Sequence, residues 1–540
     1  MAPPTDTAGL APLIAALRDP ARYPHPVKRI DVLETHISWV ILTGPYAYKF
    51  KKPVNLGFLD FSTLEARHRY CEEELRLNRR LAPSLYEAAV KITGSMDNPV
   101  IGGDGAAIEY AVKMREFPQS ALASRMLADG ALTSAQIDTL AAHIAAFHAH
   151  TGVAARGCPY GTPEAVITSA RENFAQLGPL LPDATDQTRI AELRAWTEQE
   201  YNAHWTLFGA RQVEGCVREC HGDLHLGNIV MLDGKLTPFD CIEFNPALRW
   251  IDVMSEVAFL VMDLMDRDRA DFAYRFLNTY LEATGGYAGL DVLRFYLVYR
   301  AMVRAKVHGL CAAQDGIAVA ERARLIDASR GYIDLAQRCA HSAHAAIILM
   351  HGVSGSGKSV IAQALAAQNG AIRLRSDIVR KRLSGLDPLA HSGSTLASGI
   401  YTADLTLATY NQLLDLARTA TNAGYAAVVD ATFLKRWQRD LFRCWAHARS
   451  ILFIIVDVTA PEAALRARIA ARFVAGGDAS EADQVVLTHQ LAQSEALTDE
   501  ESSAVLRINT ARSDAEVTSR EACEALRARL AAPDAQAPLV

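Results

Sequence analysis

Hydrophobic and polar positions follow two different rhythms along this chain, and the rhythm changes twice. Residues 1–24 are rich in Pro and Ala and leave room for one short helix. Over 27–53 the apolar residues fall into short β-like runs. Ile37-Ser38-Trp39-Val40-Ile41-Leu42 and Tyr46-Ala47-Tyr48-Lys49-Phe50-Lys51-Lys52 flank Thr43-Gly44-Pro45, which predicts a hairpin. Ser62-Thr63-Leu64-Glu65 reads as a capping box opening a helix to about Leu81. Strand signal returns at 88–92 and 106–115, and Glu116-Phe117-Pro118 ends it. From Ala121 the period is helical: Thr133 and Gln136 box the start of a helix whose Ile137, Leu140, Ile144 and Phe147 share one face. Helical patterning continues through 257–265, 295–308 and 321–339. Beyond Cys339, apolar runs of strand length reappear at 345–350, 371–375, 425–429, 451–456 and 504–508, separated by helical stretches. That alternation predicts a parallel sheet with ligands at the carboxyl ends of its strands. The expected divisions are an extension (1–24), a small β-rich lobe (25–118), a helical lobe (119–340), a linker (341–344), an α/β module (345–532) and a tail (533–540).

Bulk properties narrow the function classes. At 540 residues the chain is too long for one core. Its net charge of −6 gives no electrostatic reason to expect nucleic acid or an anionic membrane as a partner. From Ala345 onward 20 Lys and Arg balance 20 Asp and Glu, so no basic domain hides in the C-terminal part. Nine cysteines lack regular spacing, and Cys216 and Cys220 have no second pair or His at zinc spacing. His143, His148 and His150 share a helix, but His143 and His148 diverge around it, so packing or solvent exposure explains them better than metal binding. There is no signal-peptide pattern, and no apolar run reaches about 18 residues. A reducing, ATP-rich cytoplasm is the expected compartment.

Two stretches carry chemistry. Gly352-Val353-Ser354-Gly355-Ser356-Gly357-Lys358-Ser359 lies between an apolar strand and a helical run, the context of a phosphate-binding loop. Its glycines let successive N–H groups point at one anion in front of a helix N-terminus, with Ser354 and Ser356 in the same cradle. Lys358 can reach the β- and γ-phosphates of ATP, and the Ser359 hydroxyl can hold Mg²⁺. The second stretch is His221-Gly222-Asp223-Leu224-His225-Leu226-Gly227-Asn228, followed by Pro238-Phe239-Asp240. Asp223 can take or hold the proton of an attacking hydroxyl, while Asn228 and Asp240 supply the oxygens that Mg²⁺ prefers. In the α/β module Asp377 and Asp430 both end strands, where a carboxylate meets substrate or metal. Arg249-Trp250-Ile251-Asp252 offers Asp252 either as a brace for the catalytic loop or as an exposed helix cap.

The residues His221, Gly222, Asp223, Asn228 and Asp240 resemble the aminoglycoside phosphotransferase family, kin of protein kinases. The resemblance implies a kinase-like α+β fold for the first 340 residues, with a small β-rich lobe and a helical lobe. It also implies Asp223 as catalytic aspartate, Asn228 and Asp240 as Mg²⁺ ligands, and an N-lobe lysine paired with a helix glutamate. Lys49 and Glu74 are the choices here, with Lys51 and Glu73 as alternatives. No Gly-x-Gly-x-x-Gly loop precedes the lysine. The C-terminal part resembles small P-loop kinases of the zeta-toxin, gluconate-kinase and polynucleotide-kinase group, an α/β P-loop NTPase fold. That likeness implies Asp377 against the acceptor hydroxyl, Arg380 as an acceptor or phosphate contact, and Asp430 in a Walker-B-like place. Residues 465–472 and Gly476-Gly477-Asp478 resemble a lid, in which Arg468 and Arg472, four apart, could close on the transferring phosphoryl group. The whole resembles a bacterial fusion with two ATP–Mg²⁺ phosphotransfer sites acting on hydroxyls of small molecules. Two other readings are a module that binds ATP only to regulate, and a C-terminal kinase of nucleic-acid 5′-hydroxyls. No motif names an acceptor or an oligomeric state.

Overall fold

The computed structural model describes residues 7–531 except 56, 58, 315, 342–344, 389, 391, 394–398, 476–480 and 512–513. Most of the expected linker, the tail and Gly476-Gly477-Asp478 therefore lie outside the described residues. The chain forms two compact units, one of residues 1–169 and 205–263, the other of 170–204 and 264–540. The helices Ala270–Thr284, Leu290–Ala312 and Val319–Ala340 thus group with the C-terminal sheet.

The first unit is built on a six-stranded antiparallel sheet of β1 (Asp31–Glu34), β2 (Ser38–Leu42), β3 (Tyr46–Lys51), β4 (Tyr86–Gly94), β5 (Pro99–Ile101) and β6 (Glu109–Arg115). Its strand order is β1-β2-β3-β6-β4-β5. The pleat sends alternate β3 residues to opposite faces. Tyr48 and Phe50 pack with Trp39, Ile41 and the N-terminal Leu13 and Leu17, whereas Ala47 packs with Cys71 and Leu75 of the Leu64–Asn78 helix. Lys49 and Lys51 share the parity of Ala47 and so face that helix. The helix is capped one residue later than the sequence suggests. Thr63 Oγ1 accepts from Ala66 N at 3.1 Å, while the Ser62 hydroxyl turns back to Asp60. The Thr133–Gln136 capping box is present as read. Two small antiparallel pairs follow, β7 (Val217–Glu219) with β10 (Trp250–Asp252), and β8 (Ile229–Leu232) with β9 (Lys235–Pro238).

The second unit holds a five-stranded, wholly parallel sheet: β11 (Ala346–His351), β12 (Ile372–Arg375), β13 (Ala427–Asp430), β14 (Leu452–Thr459) and β15 (Val505–Asn509). The order β12-β13-β11-β14-β15 puts β11 in the middle, buried at every position. Ile348 and Met350 pack on Ile361, Leu365 and Leu526. Under the opposite face Arg439 and Glu501 form a buried bidentate pair at 2.6 and 3.1 Å.

β12 is an edge, and edges leave N–H and C=O groups unpaired. Here the Ala270–Thr284 helix covers it. Arg373 N donates to Asn278 Oδ1 at 2.7 Å, and Asn278 Nδ2 donates to Ala371 O at 2.9 Å, so one side-chain amide takes the place of a neighbouring strand. One turn on, Glu282 accepts two bonds from the Arg373 guanidinium, at 2.7 and 3.0 Å, with both side chains buried. Arg382 adds a bond to Glu282 O at 2.9 Å. The strand that leads into Asp377 is therefore anchored from outside the sheet.

Candidate functional site

In the first unit β3 delivers its two lysines to one carboxylate. Lys49 Nζ lies 2.9 Å from Glu74 Oε1, and Lys51 Nζ lies 2.7 Å from Glu74 Oε2. Lys49 also pairs with Asp240, and Lys51 with Glu243. Glu74 is fully buried. Burial alone would raise its pKa, but the two lysines win and hold the carboxyl well below its usual range. Burial likewise works against charge on Lys49, and the Asp240 and Glu74 carboxylates outweigh it, raising its pKa. Glu73 points elsewhere, taking Arg76 at 2.7 Å and Arg249 at 2.7 Å. Both lysines and Glu74 thus form one chain of charge from Asp240 to Glu243, rather than a single pair.

The second half of this site hangs on the loop before β8. Asn228 Nδ2 donates to Asp223 Oδ2 at 2.9 Å and to Asp223 O at 3.1 Å, and His225 Nε2 lies 3.4 Å from Asp223 Oδ2. Asp240 follows β9 with φ +65°, and its N–H donates to Tyr86 Oη at 3.1 Å. Phe239 N donates to Asn228 O at 2.9 Å, which joins the two metal-type residues through backbone. Asp223, Asn228 and Asp240 are oxygen donors suited to Mg²⁺.

The brace of this loop is a residue that sequence reading missed. Asp252 does not reach the loop: it caps Met254 N at 2.8 Å, buried rather than exposed because it also takes Arg211 at 2.6 and 2.7 Å. Glu256, one helical turn later, accepts from His221 N at 3.0 Å and Gly222 N at 2.7 Å, with His148 Nε2 3.0 Å away. Gly222 needs its φ of +91°, since a Cβ there would sit 2.8 Å from Leu248 O. Burial works against the Glu256 charge, but His148 and the Gly222 N–H prevail and bring its pKa to about 2. His148, Cys220 and Glu256 offer ligand atoms within 4.8 Å of one another. The Glu256 oxygens are already spent on two amides and the imidazole, which makes the trio a hydrogen-bonded brace. His148 is therefore a packed core histidine, while His150 Nδ1 sits 2.7 Å from Ala146 O on its own helix.

In the second unit the turn after β11 is shaped for an anion. Gly352, Gly355 and Gly357 all have positive φ. A Cβ would meet Val458 O at 2.4 Å from Gly352 and Leu465 O at 2.7 Å from Gly355. Lys358 opens the Lys358–Gln368 helix, is 8% exposed, and donates to Val353 O at 2.9 Å. Among the described residues no carboxylate stands within ion-pair distance of it. Burial pushes its pKa down, Asp430 and Asp377 recover part of that, and Arg472 adds to the lowering. Lys358, Asp377, Asp430 and Arg472 thus share one electrostatic neighbourhood. Ser356 Oγ and Asp430 Oδ2 are buried with no hydrogen-bond partner among the described residues. Such orphaned groups beside a glycine cradle fit a magnesium-bound triphosphate. Ser359 is exposed, and Ser354 N donates to Gln490 Oε1 at 2.8 Å.

The two arginines of the expected lid differ. Arg468 is already committed to the loop itself, donating to Gly355 O at 3.3 Å, Ser356 O at 3.4 Å and Thr510 Oγ1 at 2.9 Å. Arg472 donates to Ala482 O at 2.6 Å. Arg380, one turn after Asp377 on the Ser376–Leu383 helix, donates to Ile400 O at 3.0 Å and Thr406 Oγ1 at 3.1 Å.

Comparison with known proteins finds two modules, the first of which runs past the border of the first compact unit. Residues 58–296 match a family described as "Phosphotransferase enzyme family", and residues 347–497 match one described as "AAA domain". Over 412 residues the chain is 32% identical to the uncharacterized protein Rv2004c of Mycobacterium tuberculosis (strain ATCC 25618 / H37Rv), covering 76% of this chain and 80% of that one. The uncharacterized protein Mb2027c of Mycobacterium bovis matches with the same figures. Among solved structures, the amicoumacin kinase hAmiN is 14% identical with TM-score 0.37, covering 59% of this chain and 91% of its own. A gluconokinase from Sinorhizobium meliloti 1021 is 23% identical with TM-score 0.27, covering 37% and 100%. At those scores the solved structures carry no weight for substrate. Both matched modules are of kinase type, which supports phosphotransfer and implies use of ATP. The chain belongs to the family of these mycobacterial proteins, joining a phosphotransferase-family domain to a P-loop kinase domain.

Proposed function

We propose that this protein is a bifunctional, cytoplasmic ATP-dependent phosphotransferase, with one site in each unit and a small-molecule hydroxyl as each acceptor. In the first unit Lys49 would meet the phosphates, Glu74 would hold Lys49, and Asn228 and Asp240 would ligate Mg²⁺. Asp223 would accept the proton of the acceptor hydroxyl as its oxygen bonds to the γ-phosphorus and the bond to the β-phosphate oxygen breaks, releasing ADP. In the second unit Asp377 takes that role. The Gly352–Gly357 turn and Lys358 would hold the triphosphate, Ser359 and Asp430 the Mg²⁺, and Arg468, Arg472 and Arg380 the charge around the moving group. Mg²⁺ supplies neutralisation of phosphate charge.

The observation that supports the reading is that, among the described residues, the buried Lys358 bonds to a carbonyl alone and Asp430 Oδ2 has no hydrogen-bond partner. Both groups lack partners of the kind a magnesium-bound phosphate provides. The test is transfer of label from γ-labelled ATP to a metabolite panel by wild type, Asp223→Asn and Asp377→Asn. Two acceptor sets, each lost in a different variant, are expected. Should Asp223→Asn leave every transfer unchanged, the first module regulates rather than catalyses. Label passing to oligonucleotides instead would favour a 5′-hydroxyl kinase.

A further inference from the structure

The loop before β8 in the first unit holds a histidine to which the phosphotransfer steps give no task. His225 lies two residues after Asp223, with 13% of its side chain exposed. The loop is fastened to one face of the Val253–Asp266 helix, the face that Glu256, Phe259 and Asp263 share by their spacing of three and four residues. Glu256 takes the amides of His221 and Gly222, and Asp263 Oδ2 accepts from Leu226 N at 2.9 Å. Between those two carboxylates Phe259 meets the His225 ring, with centroids 5.6 Å apart. The imidazole therefore stands on a backbone pinned on both sides of it.

Its proton is placed as firmly as its ring. Gly227 N donates to His225 Nδ1 at 3.0 Å. A ring nitrogen that accepts carries no proton, so the hydrogen of this imidazole is on Nε2. Nε2 faces Asp223 Oδ2 at 3.4 Å, the same oxygen that Asn228 Nδ2 reaches at 2.9 Å. Gly227 is the point at which this can be undone, since a Cβ there would stand 2.8 Å from His225 Cε1 and 2.9 Å from its Nδ1.

We infer that His225 is a positioning residue for Asp223: the Gly227 amide fixes its tautomer, and its Nε2–H holds Oδ2 of the carboxylate in place while that group takes the proton of the acceptor hydroxyl. This rests on the phosphotransfer reading of the first unit. Two donors on one oxygen restrict rotation of the carboxylate more than Asn228 does alone, and a base held in one orientation spends less on alignment. The length of the contact suits the task. A short charge-assisted bond would compete for the electron pair that must receive a proton, whereas a donor at 3.4 Å steadies the negative group and leaves it basic.

The test uses the full chain carrying Lys358→Met, so that label leaving γ-labelled ATP, to the metabolite panel or to water, reports the first unit. His225→Leu should lower the Asp223-dependent kcat about tenfold, with the KM for ATP and the melting temperature unchanged. His225→Gln, whose side-chain amide can donate in place of Nε2, should recover most of that loss. Gly227→Ala should act like His225→Leu although it removes no polar side chain. Nitrogen NMR of the imidazoles at mildly alkaline pH, with the His225 signal assigned by its loss in His225→Gln, should show Nε2 protonated and Nδ1 bare. An unchanged kcat in His225→Leu, a loss that travels with the melting temperature, a Gln variant no better than Leu, or a proton on Nδ1 overturns the inference and leaves the phosphotransfer reading standing. Label release indifferent to Asp223→Asn overturns both.

Discussion

The two lysines on which phosphate chemistry would turn are buried alike and wired in opposite ways. Lys49 sits among Asp240, Glu74 and, through Lys51, Glu243, so its charge is answered before any ligand arrives. Lys358 rests on a carbonyl, with its charge penalised by burial and only partly recovered. The first arrangement is a structural asset: it joins sheet, helix and the segment after β9, and its loss would be felt in stability. The second holds groups in reserve for a ligand, so its loss would be felt in chemistry.

That contrast can be broken most forcefully at Glu74. Glu74→Ala leaves two ammonium groups buried without their shared partner, and is expected to cost about 3–5 kcal/mol in a denaturant or thermal melt. A melt indistinguishable from wild type would mean that the charge chain carries no load. Next comes Lys358→Met, which should lower label transfer by the second site about 10²–10³-fold without lowering the melting temperature. A large loss of stability there would erase the distinction. Acid titration sharpens it further. The Glu256 carboxyl has a folded pKa of about 2 against an ordinary 4.5. Its contribution is complete above pH 4.5 and disappears as pH falls toward 2, on the order of 3 kcal/mol. Wild type should therefore lose stability across that window more steeply than Glu256→Gln, and parallel curves would refute the brace. The smallest effect is expected at Asn278→Ala, roughly 1–3 kcal/mol for the unmet Arg373 N–H of β12 and the unmet Ala371 C=O just before it. Amide exchange at Arg373 should quicken in the same variant, and an unaltered rate there would show that the amide is not pairing the edge.

Much of this was legible in the sequence because it is local. Short β-like runs located the first sheet, apolar runs of strand length between helical stretches located the second, and the glycine spacing of 352–357 announced its own turn. The pairing of Glu74 rather than Glu73 was also within reach, since Cys71, Leu75 and Asn78 mark the buried stripe on which Glu74 falls. Other features depend on distance along the chain. Glu256 reaches amides 34 and 35 residues away, and a glutamate in an apolar helix carries no mark of that task. Asp252, closer to the motif, drew the attention and turned out to serve Arg211. Asn278 and Glu282 look like ordinary polar positions one turn apart until the fold lays β12 across them.

The amide of Asn278 has a practical consequence for anyone trimming this polypeptide. A fragment beginning near Ala345 would keep its glycine turn and all five strands, yet would leave one margin of the sheet bare, with the Arg373 guanidinium stripped of its counter-ion. Such a margin recruits a second copy of itself. The shorter protein would be expected to dimerise or precipitate, whereas a fragment starting before Ala270 would carry its own cover.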